Sequence, residues 1–210
     1  MKMKNFVYMA FILILAACDE HVLPDADLHV GMVYCTDGAI LSLKECQQQG
    51  KQPKAVVFYV DHQQETEGLG YAVTLRESPE RAFCDTLGIP QGTSAVTDRM
   101  DGFSNTFQMR SARAYSSLAY SVEADCFIPS VAQMNLLHST VATVNPILEE
   151  LGGQAIPQRD NWYWTSTEVA GQSQDRAWIY SLMHGQLEPE NKLMPHTTRP
   201  ILTIYNYKHQ

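Results

Sequence analysis

The chain has 210 residues, 15 basic and 23 acidic side chains, and five cysteines. This acidic balance excludes a nucleic-acid binder, which needs a basic face to neutralise phosphates. Its length fits one domain with a substantial core, and it contains no internal repeat or low-complexity tract.

The N-terminus carries Lys2 and Lys4, followed by an apolar run from Phe6 to Ala17 that ends Leu15-Ala16-Ala17-Cys18. A basic start and an apolar stretch of this length predict a secretory signal peptide over 1–17, and the run is too short to span a bilayer as a helix. Small residues leading into a cysteine resemble the bacterial lipobox, in which cleavage precedes the cysteine and its thiol carries diacylglycerol. Cys18 is therefore the expected lipid attachment site, and the membrane is a partner through that anchor. One acyl chain binds only reversibly, whereas the two or three of a lipoprotein hold firmly. Removing 1–17 leaves 13 basic and 23 acidic groups, a balance of −10. The expected location is the cell envelope, at the outer membrane or cell surface.

Residues 18–30, with Pro24 and several acids, read as a lipidated tether, and the folded body is expected over 31–210. Strands are predicted at 32–34 and 39–43 around an Asp37-Gly38 turn, at 54–60 as an unbroken apolar run, and at 70–75. Ser78-Pro79 followed by Gly88 predicts a helix with Ala82, Phe83 and Leu87 inward. A second helix is placed within 106–120. A third opens at Ser130, where Ser130-Val131-Ala132-Gln133 is a capping box. A fourth opens at Asn145-Pro146 and stops at Gly152-Gly153, burying Ile147, Leu148 and Leu151. Strands return at 162–166, 177–182 and 200–205. Strands, then helices, then strands define an α+β domain whose two ends share one sheet.

After lipidation, Cys35, Cys46, Cys84 and Cys126 remain as disulfide candidates, with three possible connectivities. Cys35 and Cys46 flank the Asp37-Gly38 turn and are the favoured pair, while Cys84 and Cys126 either form the second bridge or stay as buried thiols. None has CxxC spacing, which argues against redox or zinc chemistry.

Several motifs appear in order: Phe127-Ile128-Pro129-Ser130, then Tyr163-Trp164-Thr165-Ser166-Thr167-Glu168, Ala177-Trp178, Gly185, Lys192 and Arg199-Pro200, with Asp101-Gly102 and Asn105-Thr106 upstream. Together they resemble the Lcl C-terminal-domain family, a bacterial branch of the C-type-lectin-like fold, from about residue 31 to 205. Phe127 stands where tryptophan is usual, and Gln133-Met134 replaces Glu-Leu. The resemblance implies a single C-type-lectin-like domain, with short helices on a mainly antiparallel sheet and a recognition surface in its long loops. Fold is not function, so this step is analogy.

The expected ligand-binding residues are Trp162, Tyr180, His184, Glu188 and Asn191, a mixture of aromatic, amide and acidic side chains between 162 and 199 that suits sugars. Strand alternation should send Tyr163 to one face and Trp162 and Trp164 to the other. Trp164 and Trp178 are expected in the core. Glu188-Pro189-Glu190-Asn191 is similar to the lectin calcium motif but lacks the companion Trp-Asn-Asp triplet, so it reads as a solvated turn. His184 and His196 are expected to share a loop surface, and no histidine spacing calls for metal. Glu149-Glu150 reads as solvated charge. No local nucleophile motif is present, and the formylglycine-generating relatives use late cysteines that this chain lacks, its last being Cys126. No catalytic residue, cofactor or metal is expected. The function implied is a non-catalytic lipoprotein that binds glycan or surface protein, as in adhesion. The alternative is a structural subunit of a fimbria-like surface assembly with no free ligand.

Overall fold

The structure, a computed structural model, describes residues 28–63, 66, 68–156 and 161–205. The signal segment, Cys18 and the tether up to residue 27 lie outside the described residues. Leu28 and Val30, within the expected tether, already pack against the core. Among the described residues, no helix is long and apolar enough to cross a membrane.

β1 (Val33–Cys35) and β2 (Ile40–Leu41) pair antiparallel across the Asp37-Gly38 turn, with Gly38 at φ +83°. Next comes α1 (Leu43–Gln48), just beyond the expected return strand and in a region where no helix was expected. Its signal was local: Ser42-x-x-Glu45 is a capping box, in which the Glu45 N–H donates to Ser42 Oγ (3.2 Å) and the Ser42 N–H donates to Glu45 Oε2 (3.0 Å). β3 (Pro53–Val60) and β4 (Gly70–Thr74) form where their apolar runs predict.

The helix expected over residues 78–88 does not form. Ser78 Oγ accepts the Thr198 N–H (3.1 Å) instead of capping a helix, and Phe83 N–H donates to Lys192 O (2.8 Å). Residues Arg81–Ala82 become β5, paired with β9 (Pro195–His196). A helix this short is marginal alone, so long-range pairing overrides its local signals.

The second expected helix is two. α2 (Gly102–Ser111) begins earlier than predicted, and α3 (Ser117–Tyr120) is a single capped turn. Gly102 is required here because a Cβ would lie 2.3 Å from Gln133 Oε1 and 2.6 Å from Ile128 O. α4 (Val131–Glu150) opens at the Ser130 capping box as expected but runs on through Pro146, so no fourth helix starts there. Asn145 caps nothing and instead clamps a later loop, with Oδ1 accepting Ile156 N–H (2.9 Å) and Nδ2 donating to Ile156 O (3.1 Å).

β6 (Trp162–Glu168), β7 (Arg176–Ser181) and β8 (Gln186–Asn191) make a three-stranded antiparallel sheet. Residues 188–191 are thus the paired edge strand β8, a correction to the solvated-turn reading. Pro189 is tolerated because an edge strand need not donate outward. β10 (Ile201–Ile204) closes a five-stranded sheet of order β10-β4-β3-β1-β2, so the two ends of the body do share one sheet.

α4 covers one face of that sheet, where Met134, Leu137, Val144 and Leu148 meet Val56, Phe58, Tyr71 and Val73. The other face carries Ala55, Val57, Ala72 and Leu202. Burial on both faces explains the unbroken apolar run of β3. The β6–β7 pair lies between two cores, with Tyr163 and Tyr180 in the first and Trp164, Ala177 and Ile179 in a second built around Phe83, Met109 and Leu118. The expected alternation of Trp162, Tyr163 and Trp164 therefore holds. Trp178 is half-buried, not core, and its indole N–H is buried without a partner.

Candidate functional site

The motif residues that carry the family resemblance converge on a buried polar framework. Glu168 pairs with Lys192, and its carboxylate also accepts the Gln91 N–H (2.7 Å) and the Thr93 N–H (3.2 Å), while Lys192 donates to Ser173 O. Asn105 Oδ1 accepts Ser94 N–H (2.9 Å), and its amide donates to Asp101 Oδ1 (2.8 Å). Thr106 Oγ1 accepts Ile128 N–H (2.9 Å), and Gln133 Oε1 accepts both Gly102 N–H (3.2 Å) and Ser130 N–H (2.9 Å). These side chains fasten the long segment 91–105 to β6 and to the start of α4. Buried polar groups must be satisfied, and here the partners are mainly backbone amides of irregular loops.

Arg199 anchors a second buried polar cluster. Its Nη2 donates to Thr74 O (3.0 Å) and Gln154 O (2.6 Å), and Nη1 lies 3.8 Å from Glu77 Oε1. Burial pushes the guanidinium down to about 10 against the pull of Glu77. The Tyr163 hydroxyl donates to Glu77 Oε1 (2.6 Å), and burial together with that carboxylate holds it well above its ordinary value.

The five expected ligand residues do not gather. Tyr180 is buried, donates to Asn135 Oδ1 (2.8 Å), and has its hydroxyl pushed up to about 12 by burial; it is a core residue, contrary to expectation. His184 lies exposed in the β7–β8 turn, and Glu188 is exposed on the edge strand opposite Ile179. Asn191 is half-buried, with Oδ1 accepting Leu193 N–H (2.9 Å) in the turn after β8. His184 lies in the turn before β8, whereas His196 lies in β9 beside Glu190 near the far end of β8, so the fold does not pair them as expected. Glu188 and Asn191 point to opposite faces of that strand, which separates the two residues a lectin-type calcium site would need together.

Trp162 alone among the five lines a cleft of about 300 Å³, whose other walls include Glu77, Glu80, Asn161, His196 and Thr197. The β5–β9 ladder places His196 there, edge-on to the Trp164 ring at 5.2 Å and with Nε2 3.5 Å from Glu190 Oε2. One half-buried indole beside an amide and two carboxylates offers an apolar face and orienting polar groups, the combination that suits a sugar. Sequence reading missed Glu80 because it placed it at the start of a helix, and Glu77 because it belongs to no motif.

Two further clusters gather groups of the kind that bind metal or react. Glu123, Asp125 and Cys126 bring ligand atoms within 4.8 Å of one another, but the Lys54 ammonium already sits there, 3.1 Å from Glu123 Oε2 and 2.6 Å from Asp125 Oδ2. Burial opposes the Lys54 charge, yet hydrogen bonds to Asp125 and Glu123 outweigh it and hold the ammonium above its ordinary value. A metal would have to displace this cation. Cys35 and Cys46 lie as buried thiols with sulfurs 3.8 Å apart. Cys84 and Cys126 are also free and buried, in different surroundings: Cys84 Sγ is 3.2 Å from Thr86 O, and Cys126 packs beneath the five-stranded sheet.

No protein-family model matches this chain, and no curated protein matches it.

Proposed function

We propose that the chain is a non-catalytic, envelope-anchored recognition lipoprotein, lipidated at Cys18, whose C-type-lectin-like body binds glycan or protein at the cell surface through the Trp162 cleft. The observation that carries this reading is the cleft itself, where a solvent-accessible indole stands beside Asn161, Glu80 and His196. The order of the Tyr163–Glu168, Lys192 and Arg199 motifs supports the fold, as does the sharing of one sheet by β1 and β10. The non-catalytic reading draws on how those motifs are used: Ser166, Thr167, Glu168, Lys192 and Arg199 are sealed from solvent and spent on internal hydrogen bonds.

A glycan array probed with the mature chain tests the reading. The expected result is binding to a restricted glycan set that Trp162→Ala abolishes while the melting temperature holds. Binding unaffected by Trp162→Ala removes the cleft from the reading. For the anchor, Cys18→Ser should release the protein from membranes or leave it uncut, and unchanged size and membrane association would refute lipidation.

A second reading, a structural subunit of a fimbria-like assembly with no free ligand, is favoured by one observation. Phe107 is 61% exposed, and Tyr115 and Tyr120 stack in the open with ring centroids 5.2 Å apart. Large exposed apolar surface marks packing interfaces. Concentration-dependent self-association lost in Phe107→Ser would favour this second reading over the first.

A further inference from the structure

A second cavity, of about 200 Å³, opens between the start of α2, β4 and β10. Four aromatic residues line it, Tyr71, Phe103, Phe127 and Tyr205, together with one carboxylate, Asp101. No lysine, arginine or histidine is among its lining residues. Tyr71 and Phe127 form the buried floor, and Phe103 meets Phe127 edge-on at 5.8 Å. Phe103 and Tyr205 stand at the mouth, 53% and 55% exposed.

Core packing does not explain why Phe103 is there. α2 buries Gly102, Asn105, Thr106 and Met109, and turns Phe103 away from that buried side. Asp101, immediately before the helix, is half-buried, and burial raises its carboxyl above the ordinary value. The Asp101 carboxylate accepts from Asn105 Nδ2, the Ser94 hydroxyl and its own backbone N–H, all neutral donors, so its charge is hydrogen-bonded but not neutralised. No described lysine or arginine forms an ion pair with it, and Arg99 exerts only a weak pull.

The cavity thus combines aromatic rings, whose faces attract positive charge, with a half-buried carboxylate that has no ion-pair partner among the described residues. An anion would meet Asp101 unfavourably, and a neutral polyol would bring it no counter-charge. An alkylated ammonium satisfies both features, because its methyl groups pack on rings and its charge meets the carboxylate. We propose that this cavity binds a compact organic cation of the quaternary ammonium type, with Phe103 and Tyr205 flanking it and Asp101 as counter-charge. The site is separate from the Trp162 cleft and does not depend on that reading.

The test titrates the full-length chain with tetramethylammonium, choline and the neutral carbon isostere of choline, in a detergent free of choline headgroups. Amide chemical shifts of residues 100–104 report binding at this site. Saturable shifts are expected with both cations, and at least about tenfold weaker binding of the isostere. Phe103→Ala and Asp101→Asn should each weaken choline binding about tenfold, while Trp162→Ala leaves it unchanged. Phe103 is exposed, so its variant should fold, and Tyr205→Ala provides a second test should Asp101→Asn destabilise the chain. Absence of saturation, equal binding of the isostere, or full affinity in Phe103→Ala overturns the proposal.

Discussion

Lys192 and Glu168 form an ion pair shut away from solvent, with 0% and 1% of their side chains exposed. Desolvating two charges is costly, and the arrangement survives because each has further partners. Glu168 accepts two backbone amides from residues 91 and 93, and Lys192 donates to Ser173 O. The pair ties the end of β6, the end of β8 and the irregular segment before α2 into one unit.

Breaking that pair should be among the most damaging single changes in the molecule. Lys192→Met leaves a buried carboxylate without its counter-charge, and a loss of about 3–5 kcal/mol is expected by urea unfolding. Glu168→Ala should cost at least as much, since the Gln91 and Thr93 amides lose their acceptor too. A loss below about 1 kcal/mol in Lys192→Met, the range of exposed pairs, would show that water reaches the carboxylate.

Trp164 and Ser130 should act on stability alone. Trp164 is fully buried against Phe83 and donates its indole N–H to Arg81 O (3.0 Å), so Trp164→Ala should cost about 3–5 kcal/mol. Ser130 caps α4 and also donates to Arg99 O (2.7 Å), which places Ser130→Ala at the upper end of the cap range, about 2 kcal/mol. Thermal melts check both. A Trp164→Ala variant that melts normally but loses a ligand would move Trp164 into a binding site.

Of the four cysteines in the body, one pair should oxidise. Cys35 and Cys46 need their sulfurs to close from 3.8 Å to a bond, while Cys84 and Cys126 contact no cysteine among the described residues. Burial pushes the Cys35 thiol up to about 12, with Cys46 beside it adding to the rise, so the folded chain holds it as the thiol. Oxidation should therefore occur before the core closes, and reducing agent should act slowly on the folded protein. Differential alkylation and peptide mapping of secreted material are expected to show one Cys35–Cys46 bridge and two thiols that react only after unfolding. Four free thiols would refute the bridge.

Asp101 should make stability depend on pH. Burial raises its carboxyl in the folded chain, so the folded state holds that proton more tightly than the unfolded state does. Its contribution is fully present below the ordinary aspartate value and is lost as pH rises through the raised one. Asp101→Asn removes this titration. Unfolding measured from pH 3 to pH 7 should show the variant gaining on the parent as pH increases, and parallel curves would show that Asp101 is not perturbed.

Much of the scaffold was legible because its signals are local. The apolar runs of β3, β4 and β10, the capping box at Ser130 and the alternation through Trp162, Tyr163 and Trp164 each depend on residues within a few positions of one another. The capping box at Ser42 was equally legible, yet it went unread and α1 with it. The binding surface was harder. Tyr180 and Trp162 are both aromatic residues near the ends of β-strands, and only the packing of α4 against β7 buries one while the other faces a cleft.

By itself the sequence determined the class of domain, the strand faces, the helix start at Ser130 and the motif residues that would need partners, because periodicity and capping act over a single turn or pleat. Tertiary structure alone decided that residues 78–88 would be extended, that α4 would run through Pro146, and that Glu77, Trp162 and His196 would line one cleft. Those outcomes rest on contacts such as Ser78 Oγ with Thr198 N–H, 120 residues apart in the chain. Local propensity differs by under about 1 kcal/mol per ordinary residue, so a few long-range hydrogen bonds and a buried ring suffice to overrule it.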